Sequence, residues 1–527
     1  MPAAGPNRLT AVEQGPPPRG GLYLKAAIFA TGLAGIVAEY VMATLASYLL
    51  GNSVVQWTLT ISLMLFAMGV GSRISRRIVR NELETFVAVE FALSILCAAG
   101  PLAAYALYSQ LDYIYLVIYG FAIGIGLLIG VEIPLVTRLN SVFEELRINI
   151  SSVMEHDYYG ALLGGILFAF LALPYLGLTY TPILLGAVNF LVAFVLLWRF
   201  RSRVAKFGLY VLTGLAVSAC LILLALGAEP IVQFGEQKKY LDKVVYSEQS
   251  AYQRIVITEW RGKHWLYLNG EEQFSTFDEQ RYHEPLVLPA MTLAASRAKV
   301  LILGGGDGLA LREVLKYDDV GQVRLVDLDP AMTRLAQTHP VLVAANDSSL
   351  YNPNVDVINR DGFAFMAQSD DIYDVIIIDL PDPRSIDLGR LYTLEFYRGI
   401  KQHLSAGGMV VTQAGSPFFA PEAFACIHKT MRHAGLAVLA YHNHVPTMGE
   451  WGWVMGMNAG ISDSVLRAGA EQLEFDHTST RFMNWGSMAA MLHFGKGVVP
   501  DSGAVEVNTL HSQVLPRYYR AGRWDVY

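Results

Sequence analysis

Val300-Leu301-Ile302-Leu303-Gly304-Gly305-Gly306-Asp307-Gly308-Leu309-Ala310-Leu311-Arg312-Glu313-Val314 decides how the second half of this chain folds. An apolar, partly β-branched run stops at three glycines, an aspartate and a fourth glycine, and the spacing then becomes helical. That order predicts a buried strand, a tight turn and a helix, with glycines where a ligand can touch the backbone. The pattern recurs downstream. Gln322–Val326 closes on Asp327, the run beginning at Val355 closes on Asp361-Gly362, and Asp374–Ile378 closes on Asp379. Further strands are expected at Met409–Val411 and Leu436, with helical stretches between most of them. This alternation predicts a doubly wound, Rossmann-like α/β sheet of the methyltransferase type. Ligands bind at the carboxyl ends of such strands, so Asp307, Asp327, Asp361 and Asp379 should surround one crevice.

The residue types narrow what that crevice holds. A phosphate at a helix N-terminus wants backbone N–H groups and no acid, yet Asp307 stands in that place. No Lys-Ser/Thr pair follows the glycines, which argues against a nucleotide triphosphatase. An acid in the loop suits a cationic or neutral ligand, such as a sulfonium nucleoside with an amine tail. Asp327 lies about twenty residues beyond the loop, where an acid takes ribose hydroxyls. Asp361 can accept from the exocyclic amine of adenine. One or two such acids would be ordinary helix caps; four in register point to a site.

The first half reads differently. Of 527 residues, 53% are hydrophobic and 16% charged, and the mean hydropathy of +0.36 is too apolar for a soluble enzyme of this size. The excess lies within residues 22 to 228. Seven stretches there are long and apolar enough to cross a bilayer, which takes about 20 residues each. They fall near Ala26–Leu50, Val55–Ser72, Phe86–Tyr108, Tyr113–Leu135, Tyr159–Leu176, Pro182–Trp198 and Phe207–Ala228. No cleavage site follows the first, so it is expected to be a retained helix. Arg8, Arg19 and Lys25, then Arg73, Arg76, Arg77 and Arg80, then Arg138 and Arg147, then Arg199, Arg201, Arg203 and Lys206 share one side. The other connections carry no Lys or Arg. The positive-inside rule then predicts a multi-pass protein of the cell membrane with a cytoplasmic amino terminus. With seven crossings, everything after Ala228 lies outside.

Glu39, Glu90 and Glu132 sit within the apolar stretches, and Asp112, Glu155 and Asp157 at their margins; each is either a cation site or a carboxyl group fixing helix packing. Gly120, Gly124, Gly126 and Gly130 suggest close helix contact. The chain therefore divides into a disordered tail (1–20), a transmembrane helical domain (21–228), a small β subdomain (229–292), a nucleoside-binding catalytic domain (293–460) and a C-terminal extension (461–527). Within the β subdomain, Gln253–Trp260 and Lys263–Asn269 read as a hairpin across Arg261-Gly262. A net charge of −7 gives no case for nucleic acid. Cys97, Cys220 and Cys426 form no spaced pair, and no His/Cys spacing predicts a metal. His442 and His444 flank a strand end, in hydrogen-bonded or surface roles or lining a pocket.

Residues from about 243 to 457 resemble the spermidine synthase (polyamine aminopropyltransferase) family, and the whole chain resembles its membrane-embedded branch. The matching pieces run in order: Tyr252-Gln253, Leu268-Asn269-Gly270 with Gln273, Asp278-Glu279, Tyr282-His283-Glu284, the Gly304–Gly308 loop with Asp307, Asp327, Asp361-Gly362, Asp379 through Pro383, and Gln413. The resemblance implies an enzyme that uses decarboxylated S-adenosylmethionine as co-substrate, with no bound cofactor and no metal. It implies that Gln253, Gln273, His283, Gly304, Gly306, Gly308 and Gly362 help hold the nucleoside donor, Asp327 its ribose, Asp361 its adenine and Asp307 its aminopropyl amine. Asp379 would orient and deprotonate the attacking amine, assisted by Tyr282 and Asp382. The amine acceptor would be putrescine-like and the products spermidine, or a related polyamine, and methylthioadenosine. A lipid bilayer is the other implied partner, and a homodimer is left open.

Four departures from the family pattern all bear on the acceptor side. Leu380-Pro381 follows the expected base where small hydroxyl residues are usual. Pro446-Thr447-Met448-Gly449 lacks the Tyr of Pro-Thr-Tyr-Pro, Gln413-Ala414-Gly415-Ser416 lacks the Glu of Gln-x-Glu-Ser, and Leu288 replaces a common His. Two other readings share the sheet. One is an S-adenosylmethionine-dependent methyltransferase; the other is a polyamine transporter or sensor whose nucleoside-binding domain does not turn over. Asp307 and Tyr282-His283-Glu284 favour the aminopropyltransferase over the methyltransferase, while the acids in the apolar stretches and the Arg73–Arg77 loop keep the transporter or sensor reading open.

Overall fold

Uninterrupted apolar sequence forms long helices in the first half, because a helix satisfies its own backbone polar groups. The computed structural model describes residues 19–50, 53–108, 110–111, 113–475, 479–499 and 502–524. Most of the expected tail, together with Asp112, lies outside the described residues. The chain forms two compact units, Met1–Leu241 and Asp242–Tyr527. The first holds α1 (Arg19–Leu50), α2 (Ser53–Ser75), α3 (Glu82–Leu107), α4 (Ile114–Asn140), α5 (Leu146–Leu167), a π-helical stretch (Phe168–Leu176), α6 (Gly177–Arg199) and α7 (Phe207–Lys239).

Seven crossings were expected, whereas six helical runs among the described residues are long and apolar enough to cross a membrane. The difference lies in Leu146–Arg199, one 54-residue run that contains both the fifth and sixth apolar stretches. No polar connection separates them. The wider π-helical turn accommodates Pro174, and Gly177 then turns left-handed at φ 60°. α1 packs on α5, α2 on α4 and α3 on α6. Of the four glycines expected at close contacts, only two are there. A Cβ on Gly130 would lie 2.0 Å from the Met68 carbonyl oxygen and one on Gly126 2.7 Å from that of Met64, whereas Gly120 faces open space and Gly124 meets only Leu96 at 4.0 Å. Helical spacing put all four on one helix but could not say which face met a neighbour. Glu39, Glu90 and Glu132 are buried, Asp157 is half-buried and Glu155 is exposed.

The second unit opens with an antiparallel sheet of β1 (Lys243–Gln249), β2 (Arg254–Trp260), β3 (Lys263–Leu268) and β4 (Glu271–Ser275). Helix α8 (Gln280–Leu293) leads into β5 (Lys299–Gly304), α9 (Leu309–Val314), β6 (Gln322–Asp327), α10 (Pro330–Thr338), α11 (Pro340–Ala345), β7 (Val355–Asn359) and α12 (Gly362–Gln368). Then follow β8 (Tyr373–Asp379), α13 (Ile386–Gly389), α14 (Leu394–Gln402), β9 (Leu404–Gln413), α15 (Pro421–His433), β10 (Ala437–Val445) and β11 (Gly449–Met457). Among the described residues, three short α-helices follow: α16 (Asp463–Ala470), α17 (Trp485–Met491) and α18 (Leu515–Arg520).

The seven strands from β5 to β11 form one sheet in the order β10-β11-β9-β8-β5-β6-β7. Val300 to Leu303 and Val375 to Ile378 are fully buried because β5 and β8 are covered on both faces. Val300, Ile302, Val375 and Ile377 pack with α8 and α9, while Leu301, Leu303, Ile376 and Ile378 pack with α14 and α15. Strand order reverses between β5 and β8, where Gly304 pairs with Asp379. A crevice opens at such a switch point. Sequence patterning did not foresee β11, because Gly449, Gly452 and Gly456 interrupt its apolar residues. The glycines are there for packing: a Cβ on Gly452 would lie 2.4 Å from the Phe424 ring.

Candidate active site

The glycine loop folds back over the end of β8. Gly304, at φ 80°, has no room for a side chain, since a Cβ would lie 2.0 Å from the Asp379 carbonyl oxygen, and the Gly305 N–H donates to that oxygen at 3.1 Å. A Cβ on Gly306 would lie 2.6 Å from Asp327 Oδ2, and its N–H donates to the same atom at 3.1 Å. Gly308 ends the turn in the left-handed region and starts α9. The ends of β5, β6 and β8 are thereby brought to one place. Asp307 Oδ1 accepts from the Leu309 N–H at 2.8 Å, and Asp327 Oδ1 from the Asp329 N–H at 2.8 Å. Burial pushes the Asp327 carboxyl up to about 6.

Asp379 ends β8 and accepts from the Tyr282 hydroxyl at 2.8 Å. Burial pushes its carboxyl up to about 6; His283 pulls it down, while Asp307 adds to the rise. Helix α8 supplies both Tyr282 and His283, whose rings lie 4.9 Å apart. The Tyr282 ring also packs 5.7 Å from Trp453 and 6.3 Å from Trp451. His283 Nδ1 donates to the Glu279 carbonyl at 2.9 Å, and the Glu279 carboxylate is 3.3 Å away. Burial disfavours a charged imidazole, but Glu279, Asp307 and Asp379 outweigh it and hold His283 above its ordinary value. The acids around His283 thus favour its charged form. Burial would raise Glu279 too, yet His283 and Arg312 hold its carboxyl well below the usual carboxylate range.

Asp382 lies on the loop after β8. Gln413 donates to its Oδ1 at 3.2 Å and to the Leu380 carbonyl at 2.7 Å, and the Tyr519 hydroxyl donates to its Oδ2. Burial raises this carboxyl, and the nearby Arg384 opposes the rise. Asp278 accepts from the N–H of Thr447 at 2.8 Å and from its hydroxyl at 3.1 Å, which pins the 446–449 turn.

Other expected site residues have partners of their own. Asp361 caps α12 by accepting from the Ala364 N–H at 2.8 Å, and its other oxygen pairs with Arg390. Gly362 begins that helix. Gln253 donates at 2.9 Å to Asp329, which also caps α10. Gln273 turns its amide to the carbonyls of Glu271 and Glu272 in its own strand, at 3.2 and 3.4 Å. His442 bonds Glu450 and, at 3.0 Å, the His493 carbonyl, while His444 is exposed.

Several contacts around the site were not legible in the sequence. Asp329, Arg390 and Tyr519 are joined to it by hydrogen bonds or ion pairs across long chain separations. Glu284 accepts the backbone N–H groups of Arg481, Phe482 and Met483 at 2.7 to 2.8 Å. Asp329 carried a local sign, as an Asp-Pro helix start two residues after Asp327, and Glu284 belongs to the Tyr282-His283-Glu284 segment, although its partners at 481–483 left none.

Comparison with known proteins adds a second line of observation. Residues 279–463 match the spermine/spermidine synthase domain. The chain is 42% identical over 503 residues to polyamine aminopropyltransferase 2 of Aquifex aeolicus, covering 94% of this chain and 98% of that one. It is 39% identical over 507 residues to a polyamine aminopropyltransferase of Oceanobacillus iheyensis, covering 94% of this chain and 96% of that one. A crystal structure of spermidine synthase in complex with the transition state analogue AdoDATO aligns at a TM-score of 0.45 and 26% identity, over 49% of this chain and 87% of that one.

Proposed function

The chain belongs to the polyamine aminopropyltransferase family, and from that premise we propose that it moves the aminopropyl group of decarboxylated S-adenosylmethionine to a putrescine-like amine at a membrane. The observation that carries this reading is the juxtaposition, at the β5–β8 switch point, of Asp307, Asp327 and Asp379 with the Tyr282 hydroxyl on Asp379.

In this reading Asp327 takes the ribose hydroxyls, and Asp361 with Gly362 takes the adenine edge. Gln253, Gln273 and the glycine loop complete the nucleoside pocket. Asp307 holds the ammonium of the aminopropyl arm, and His283 fixes the acids around it. The acceptor amine arrives protonated, as alkylamines titrate near 10. Clustered carboxylates bind it, and Asp379, oriented by Tyr282, takes one proton. The freed nitrogen lone pair attacks the carbon beside the sulfonium. The C–N bond forms, the C–S bond breaks and its electrons neutralise the sulfur, so methylthioadenosine leaves uncharged. A second proton is released from the new secondary ammonium if the product leaves neutral. Alignment of the two reactants supplies much of the rate.

Incubating the purified full-length protein with decarboxylated S-adenosylmethionine and a panel of amines tests this. Methylthioadenosine and an aminopropylated amine in equal amounts are expected. Methylated product from S-adenosylmethionine, or tight nucleoside binding with no turnover, would overturn it.

The membrane part of the proposal rests on composition and charge. Six long apolar runs could span a bilayer. We count the Leu146–Arg199 run as two crossings broken near Gly177, giving seven, with the amino terminus cytoplasmic and the catalytic unit outside.

A further inference from the structure

The C-terminal segment lies beyond the matched domain, which ends at residue 463, yet it reaches the acceptor side of the site. Tyr519, on α18, is 4% exposed, and its hydroxyl donates to Asp382 Oδ2. The opposite oxygen of Asp382 is held by Gln413 at 3.2 Å. Arg384 donates to the Tyr519 hydroxyl at 3.3 Å, lies 5.4 Å from its ring centroid and pairs with Glu271 on β4. The ring packs at a tilt 4.7 Å from Trp524, which in turn stacks 5.6 Å from Phe419. Two bonds to backbone carbonyls fix this arrangement: the Trp524 indole N–H donates to the Tyr519 carbonyl at 2.8 Å, and the Arg523 backbone N–H to the Phe419 carbonyl at 2.7 Å.

Gly415, at φ 70°, lies directly against this pair: a Cβ there would be in van der Waals contact with Tyr519 Cε2 at 3.7 Å and Asp382 Oδ1 at 3.8 Å. The turn after β9 lacks a side chain where the tail supplies one.

We propose that Tyr519 is a positioning residue for the amine acceptor, fixing the Asp382 carboxylate toward the incoming ammonium and walling the acceptor end of the pocket with Arg384. The inference rests on the aminopropyltransferase reading. Two donors fix Asp382 in one rotamer, so its remaining lone pairs keep one direction. Without the phenol, the carboxylate turns toward Arg384, 3.7 Å away, and its charge is lost to the substrate.

Steady-state kinetics of the full-length Tyr519→Phe protein test this, because the ring and its packing survive while the hydroxyl is lost. The KM for the acceptor amine should rise about tenfold, with kcat within threefold and the KM for decarboxylated S-adenosylmethionine unchanged. Trp524→Leu, which loosens the ring without touching Asp382, should give a smaller rise confined to the acceptor. An unchanged acceptor KM in Tyr519→Phe, or an equal rise in donor KM, would overturn the proposal. Should Tyr519→Phe fail to fold, a wild-type acceptor KM in Trp524→Leu would do the same. A wild-type protein that releases no methylthioadenosine would instead refute the parent reading.

Discussion

In the proposed reaction Asp379 answers to two opposing demands: it has to be ionised to take a proton, while its burial favours the neutral acid. With its carboxyl pushed up to about 6, kcat/KM should fall as pH drops through that value. Tyr282 stabilises the ionised form through its hydroxyl. Tyr282→Phe should therefore move the acid limb to higher pH and lower kcat by about 10–100-fold. A pH–rate profile with an unmoved limb would separate Tyr282 from Asp379. Asp379→Asn should abolish turnover with nucleoside affinity nearly intact; calorimetry showing a large affinity loss would reassign it to the donor side. Asp327 shows the cost of such a site. Its carboxyl titrates near 6 in the folded protein, above the unfolded value near 3.9. The folded state thus holds a proton that the unfolded chain has released, and this stabilising contribution is lost as pH rises through about 6. Asp327→Asn should weaken donor binding yet raise the stability of the ligand-free protein at pH 7.5 by about 1–2 kcal/mol. Thermal melts should show that gain disappearing at acid pH; an equal gain there would assign it to something other than ionisation.

At the scale of elements, one buried acid ties the catalytic helix to a distant segment. Glu284, two residues after Tyr282 on α8, is fully buried and accepts three successive backbone N–H groups from residues 481–483. Glu284→Ala would leave those donors without partners in the interior, a loss of about 2–4 kcal/mol. Amide exchange should then quicken at 481–483 well before the central strands; unchanged protection there would show that other contacts hold the segment. The same contrast explains what was legible in the sequence. β5 and β8 announce themselves because strands buried on both faces must be continuously apolar, and the carboxylates follow because the switch point lies at their ends. Gly304 and Gly306 are readable because close backbone approach excludes a Cβ. Arg390 on Asp361, Tyr519 on Asp382 and residues 481–483 on Glu284 are not readable, since pairs far apart in the chain leave no periodicity. β11 escaped for another reason: its glycines fit the Phe424 ring and neighbouring side chains rather than a strand pattern.

For the whole molecule, the proposed membrane reading turns on how many times the first unit would cross a bilayer, since an odd or even number would decide the side on which Asp379 works. The run Leu146–Arg199 is 54 residues long, which as one straight helix would extend roughly 80 Å, against a hydrocarbon core of about 30 Å. Arg147 lies at its start, and Arg199, Arg201 and Arg203 lie at and just beyond its end. A single crossing would put these clusters on opposite sides, whereas a hairpin returns both to the cytoplasmic side, in keeping with the positive-inside rule. The turn would fall where Pro174 and Gly177 interrupt regular α-helix and Tyr175 is 80% exposed. On the proposed seven crossings, a cysteine at Tyr175 is labelled by a membrane-impermeant maleimide in intact cells, and a protease site placed after residue 240 is cut from outside. With six crossings, Tyr175→Cys is shielded by lipid and the site after residue 240 is protected until the membrane is opened. Labelling at 175 together with protection after 240 would break the link between them and move the missing crossing to α7, whose helix continues past Ala228 through Pro230 to Lys239.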